Sequence, residues 1–203
     1  MGRRIGIGRQ AADSVHRIAI FASGRGSNAE KIISRFNNAG QNGPTVALVV
    51  TNNPSAGIIT LARQSGIPVL VVEKDKFAGG YVKELKEAGI TFIVLAGFLW
   101  KIPVALISAF PRRIINIHPA LLPAHGGQGM YGKHVHQAVI DQKEKESGIT
   151  IHYVDEQYDH GAIIFQAICP VEETDTPGTL AARVQQLEHL HYPAIIASLL
   201  KNH

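Results

Sequence analysis

Two side chains in the segment Asn116-Ile117-His118-Pro119 have types and spacing that could do chemistry. Positions i and i+2 of a strand point to the same face, so Asn116 and His118 can converge on one point. An amide N–H donor beside an imidazole suits a reaction that builds a tetrahedral oxyanion and moves a proton. A plain hydrogen-bonded pair at a strand end is the competing reading. The segment Ser23-Gly24-Arg25-Gly26-Ser27-Asn28 offers different chemistry. Glycines let the main chain turn tightly, and a following helix presents unpaired N–H groups that suit a phosphate. Gly24, Gly26 and Ala29 match the dinucleotide pattern G-x-G-x-x-A. That pattern also needs an acidic residue after the next strand, and no Asp or Glu lies between Glu30 and Glu73. No Gly-Lys-Ser/Thr follows either, which argues against ATP. A nucleotide cofactor is therefore not expected, and a smaller phosphate monoester fits better. A third segment, Asp155 to Gly161, is rich in acids. A carboxylate from it near His118 is expected to raise the imidazole above its ordinary value of ~6.5, but spacing alone does not pair the two.

Other chemistries lack their signatures. His134/His136 and His189/His191 have no companion ligand pattern, so no metal is expected. No G-x-S-x-G segment occurs, and Cys169 has no histidine motif around it, which disfavours a protein nucleophile.

The elements that must position these groups follow from periodicity. Apolar runs at 17–21, 45–50, 68–73, 92–97 and 113–119 are nearly continuous, as in strands buried on both faces. Helical patterns fall between them, over 27–39 with a Ser/Asn cap, 56–64, 81–88 and 104–109. Strand–helix alternation predicts a parallel α/β sheet with helices on both faces and ligands at the strand C-terminal ends. Beyond Pro119 come a glycine-rich loop with lid-like composition over 124–132, a short helix at 133–140, strands at 148–154 and 162–171, and a long helix from Pro177 to about Leu200. The 203 residues, with 45% hydrophobic and 18% charged, fit one domain over 17–203 after a loose extension at 1–16. The single cysteine excludes an internal disulfide framework. The net charge of +4 comes without a basic stripe, and the longest apolar run is too short to span a bilayer. Nucleic acid and membrane are therefore not expected partners. No signal peptide is visible, so a cytoplasmic location is expected.

IAIFASGRGSN, VLAGFLWKIP, IINIHPALLP, YDHGAII and ARVQQLEHLHYP together resemble the folate-dependent phosphoribosylglycinamide formyltransferase family, in family order, over about residues 17–200. The resemblance implies a Rossmann-like formyltransferase fold whose late strands make the sheet mixed. It implies small-molecule substrates, with formyl transfer from 10-formyltetrahydrofolate as co-substrate to the amine of glycinamide ribonucleotide. It assigns catalysis to Asn116, His118 and Asp159. It assigns the ribonucleotide to Gly24, Arg25, Gly26, Ser27, Asn28 and Glu188. Leu99, Trp100, Lys101 and Ile102 would border the folate, with Asn116 and Asp155 also on that side. A homodimer is left open. Two departures stand out. The stretch Phe77-Ala78-Gly79-Gly80 has no basic residue, Lys76 being nearest, and the loop 124–136 is longer and more glycine-rich than the family pattern. Methionyl-tRNA formyltransferase shares the trio but is expected to bring a C-terminal barrel domain, and formyltetrahydrofolate hydrolase is expected to bring an N-terminal regulatory domain. A binding module without catalysis is disfavoured by the intact trio.

Overall fold

The computed structural model describes residues 16–37 and 43–201. The extension at 1–16 thus lies outside the description except for His16. Seven strands form one sheet: β1 (Arg17–Phe21), β2 (Thr45–Thr51), β3 (Val69–Val71), β4 (Phe92–Leu95), β5 (Ile114–His118), β6 (Glu146–Tyr153) and β7 (Ile163–Pro170). Their spatial order is β3-β2-β1-β4-β5-β6-β7. The first five run parallel, and β6 and β7 are antiparallel additions. The fold is the expected Rossmann-like mixed α/β sheet.

Alternation along each strand builds two cores. Ile18, Ile20, Phe92, Val94, Ile115 and Ile117 face one side, with residues of α1 (Ser27–Phe36), α2 (Gly57–Gln64) and α6 (Pro177–Leu200). Ala19, Phe21, Ile93, Leu95 and Ile114 face the other, against α3 (Val82–Glu87) and α4 (Val104–Ala109). Helix α5 (Lys133–Asp141) packs on α6. Since Ile115 and Ile117 point into the first core, the pleat turns Asn116 and His118 to the opposite face.

Three expectations need correction. The cap of α1 is Gly26, in the left-handed conformation (φ 87°), and no Ser or Asn side chain caps it. A Cβ at Gly26 would come within 2.6 Å of Ile58 Cδ1, so glycine is required by both φ and packing. Helix α1 closes at Phe36, and the predicted end at Ala39 falls outside the described residues. Double-sided burial fails at the sheet edge formed by β3, where Val71 is exposed.

Candidate active site

Three strand ends and one long helix meet at the site. Ser23 stitches the turn after β1 to the turn after β4: its N–H donates to the Gly97 carbonyl (3.0 Å), and its Oγ accepts from Leu99 N–H (2.9 Å). Ile58 N–H donates to the Gly24 carbonyl at 3.2 Å, fixing the loop against α2. Gly24 and Arg25 are exposed, while Gly26, Ser27 and Asn28 are half-buried at the start of α1. Helix α6 crosses α1 here. Gln185 donates to Ser27 Oγ (3.2 Å) and Asn28 Nδ2 donates to Glu188 Oε2 (2.9 Å). Residues 160 positions apart in the chain are thus side by side. Burial pushes the Glu188 carboxyl above its usual value, against the opposing hydrogen bond from Asn28. Asn28 Oδ1 is buried without a partner, leaving an acceptor available beside the loop.

The second group sits on β5 and β6. His152 pairs in register with Asn116 across the antiparallel ladder. His152 Nδ1 lies 2.8 Å from the Tyr153 carbonyl, which can only accept, so this nitrogen carries hydrogen. In the neutral ring Nε2 then accepts from Asn116 Nδ2 at 3.1 Å. The other amide hydrogen donates to Asp159 Oδ1 at a long 3.4 Å, the weaker of the two contacts. Asp159 adopts φ 52°, which turns the β6–β7 connection so that its carboxylate reaches the sheet. Its Oδ2 lies 3.4 Å from His118 Nδ1 and accepts from Gly127 N–H at 3.0 Å. His118 Nε2 lies 2.8 Å from the carbonyl of His125. The catalytic candidates Asn116, His118 and Asp159 therefore converge, and the glycine-rich loop touches two of them.

The electrostatics differ from expectation. The His118 side chain is 3% exposed, and burial pushes its imidazole below the ordinary histidine value. Asp159 and the His125 carbonyl pull the other way but do not overcome it. The predicted rise above ~6.5 is therefore reversed, because desolvation of the charged ring outweighs one nearby carboxylate. Burial works against ionisation of Asp159 too, but contacts with His152, His118 and Gly127 N–H hold its carboxyl below the usual range.

The segment assigned to folate lies beside this group. Trp100 packs edge-on to Phe77 and Phe98, with ring centroids 5.3 and 6.3 Å apart. Leu99 and Lys101 are exposed, whereas Ile102 is buried in the second core and supports the loop from beneath. Lys76 is engaged with Glu73 at 2.9 Å. Asp155 closes its own turn, accepting from Gln157 N–H and pairing with His160, each at 2.8 Å. Burial opposes its ionisation, yet these hydrogen bonds hold the carboxyl below its usual value. Among the described residues no group of three or more His, Cys, Asp or Glu is placed to hold a metal ion. Likewise, no helix among them is long and apolar enough to cross a membrane.

Reasoning from sequence missed His152, His125 and Gly127. One signal for His152 was present: Thr150 and His152 alternate with Ile149 and Ile151, so one face of β6 is polar.

A family profile described as formyl transferase matches residues 16–196. A chloroplastic phosphoribosylglycinamide formyltransferase of Arabidopsis thaliana is 45% identical over 90% of this chain, which spans 65% of that protein's length. The phosphoribosylglycinamide formyltransferase of Bacillus subtilis is 37% identical over 91% of this chain and 94% of its own. The crystal structure of phosphoribosylglycinamide formyltransferase from Bacillus halodurans superposes with a TM-score of 0.82 at 42% identity, covering 91% of this chain and 95% of that one.

Proposed function

The chain belongs to the formyl transferase family, and on that premise we propose that it transfers a formyl group from 10-formyltetrahydrofolate to the amine of 5'-phosphoribosylglycinamide, a step of purine synthesis. The observation that carries this reading is the convergence of Asn116, His118 and Asp159 at one point of a sheet edge that also holds a phosphate-type loop. In this reading Gly24, Arg25, Gly26, Ser27, Asn28 and Glu188 bind the ribonucleotide. Leu99, Trp100 and Lys101, with Ile102 beneath them, and Asp155 border the folate. Residues 17–203 act as one domain.

The mechanism uses the environment of each group. The substrate amine attacks the formyl carbon, forming a C–N bond and moving the carbonyl electron pair onto oxygen. The Asn116 N–H that makes the long 3.4 Å contact with Asp159 exchanges it for that oxyanion. Burial keeps His118 neutral at pH 7, so it begins as a base rather than as the imidazolium expected from sequence. Its Nδ1 takes the proton from the new ammonium. The imidazolium formed lies against Asp159, whose anionic charge stabilises it. The proton then passes to the departing folate nitrogen, the old C–N bond breaks and the carbonyl reforms. No protein nucleophile or metal is part of this proposal.

The test is a turnover assay with both substrates, followed by the folate absorbance change. Formylated ribonucleotide appearing at a rate that depends on both substrates supports the reading. Hydrolysis of the formyl folate without transfer counts against it. The same proposal keeps a cytoplasmic location, tested by fractionation, and a homodimer, tested by sedimentation.

A further inference from the structure

A histidine that moves a proton must present a particular ring nitrogen, and the partner of the other nitrogen decides which. For His118 that partner is main chain. The His125 carbonyl, 2.8 Å from Nε2, can only accept, so Nε2 keeps its hydrogen and Nδ1 is left facing Asp159. Two residues further on, Gly127 N–H donates to the same carboxylate oxygen that faces His118. The main chain of 125–127 thus touches both members of the pair.

Regular structure does not hold this stretch in place. It lies between β5 and α5, and the loop has glycines at 126, 127, 129 and 132. His125 itself adopts φ 55°, a left-handed conformation that side chains disfavour. Two contacts hold it. The His125 imidazole is 5% exposed, and its Nε2 meets Glu144 Oε1 at 3.3 Å, just ahead of β6. On the other side of the carbonyl, Gly126 is packed so closely that a Cβ would lie 2.5 Å from Leu122 Cδ2 and 3.2 Å from Asp159 Cβ.

We propose that His125 and Glu144 are positioning residues: their contact pins the 125–127 main chain so that His118 presents Nδ1, flanked by Asp159, to the reacting atoms. The proposal rests on the reading of His118 as catalytic. Neither residue touches substrate in it. The titratable groups acting on His118 are Asp159, His152 and His125, with His136 also within its field. Glu144 acts on His118 only through His125.

The experiment uses the full chain and three variants, Glu144→Ala, Glu144→Gln and His125→Asn. Asn tolerates the left-handed conformation, and Glu144 is 43% exposed, so these variants should fold. The first readout needs no substrate. Imidazole ¹⁵N shifts of histidine-labelled protein near pH 8 should place the His118 hydrogen on Nε2 in the parent chain. In Glu144→Ala and His125→Asn the signals should move towards a mixture of both tautomers. In turnover, those two variants should lose about tenfold or more in kcat with KM little changed, and the acid limb of the kcat profile should move. Glu144→Gln, whose amide oxygen still accepts from the His125 ring, should recover most of the rate and the parent tautomer. A pure Nε2–H tautomer persisting in Glu144→Ala overturns the proposal. So does a loss confined to KM, or equal damage in Glu144→Gln. If the chain proved inactive in formyl transfer, the ¹⁵N readout would still decide the tautomer, so the two failures are distinguishable.

Discussion

Replacing Asp159 by Asn separates charge from shape at the centre of the site. The carboxylate oxygen lies 3.4 Å from His118 Nδ1, and the two side chains are 11% and 3% exposed. At that distance an imidazolium–carboxylate pair attracts by about 5 kcal/mol for an effective dielectric near 20, and by about half that near 40. Losing that charge removes the attraction that raises the His118 pKa and leaves burial unopposed by it, so the pKa falls further. Since His118 must be neutral to accept the proton, kcat of the parent chain should rise with pH through a His118 value already held below ~6.5 by burial, then level off. In Asp159→Asn the rising limb should move to lower pH, so that kcat is flatter between pH 5 and 7 than in the parent chain. The plateau should fall by about 10²–10³, because the imidazolium formed at the transition state has lost its counter-charge. The amide can still accept from Gly127 N–H, so the loop should stay in place and ribonucleotide affinity should be nearly unchanged. Steady-state kcat measured from pH 5 to 9 provides the assay. A variant with parent-like turnover at pH 7, or with its acid limb unmoved, would refute the role given to Asp159.

Three further outcomes are expected. Asn116→Ala should lower kcat by about 10²–10³, the usual loss for one oxyanion donor, with ribonucleotide binding intact by calorimetry; an equal loss in binding would remove its catalytic role. Asn28→Asp sets a second carboxylate where Nδ2 now lies 2.9 Å from Glu188, so ribonucleotide affinity should fall by about tenfold or more while folate affinity holds; parallel losses in both would displace the phosphate site from residues 24–28. Glu188 has a raised folded-state value, so its ionisation costs stability as pH rises through that value. Glu188→Gln should therefore raise Tm by a few degrees at pH 8, taking about 2–4 °C per kcal/mol, and by less at pH 4; a shift independent of pH would show that the buried carboxylate is not the cause.

How far such a site can be read from residues alone depends on whether a feature is local. The β5 run was legible because Ile115 and Ile117 alternate with Asn116 and His118, and a pleat of period two must then present amide and imidazole together. Termini were less legible. Ser27 and Asn28 have the composition of a cap, but their side chains are engaged by Gln185 and Glu188 of α6, leaving the cap to Gly26. The pairing of Asp159 with His118 needed two non-local facts, an antiparallel register that sets His152 against Asn116 and a left-handed turn at Asp159. The sign of the His118 shift was the least legible of all. A sequence shows which charges are available but not how much water reaches them. Here the ring is 3% exposed with the His125 carbonyl against Nε2, and desolvation exceeds the attraction of its carboxylate. That burial also changes the chemistry. An imidazolium made in advance would have to carry its charge through every stage of substrate binding. In the proposed mechanism a neutral ring with Nε2 tied to a carbonyl carries no charge until the amine supplies a proton, and Asp159 then stabilises a cation that exists only while the reaction is under way.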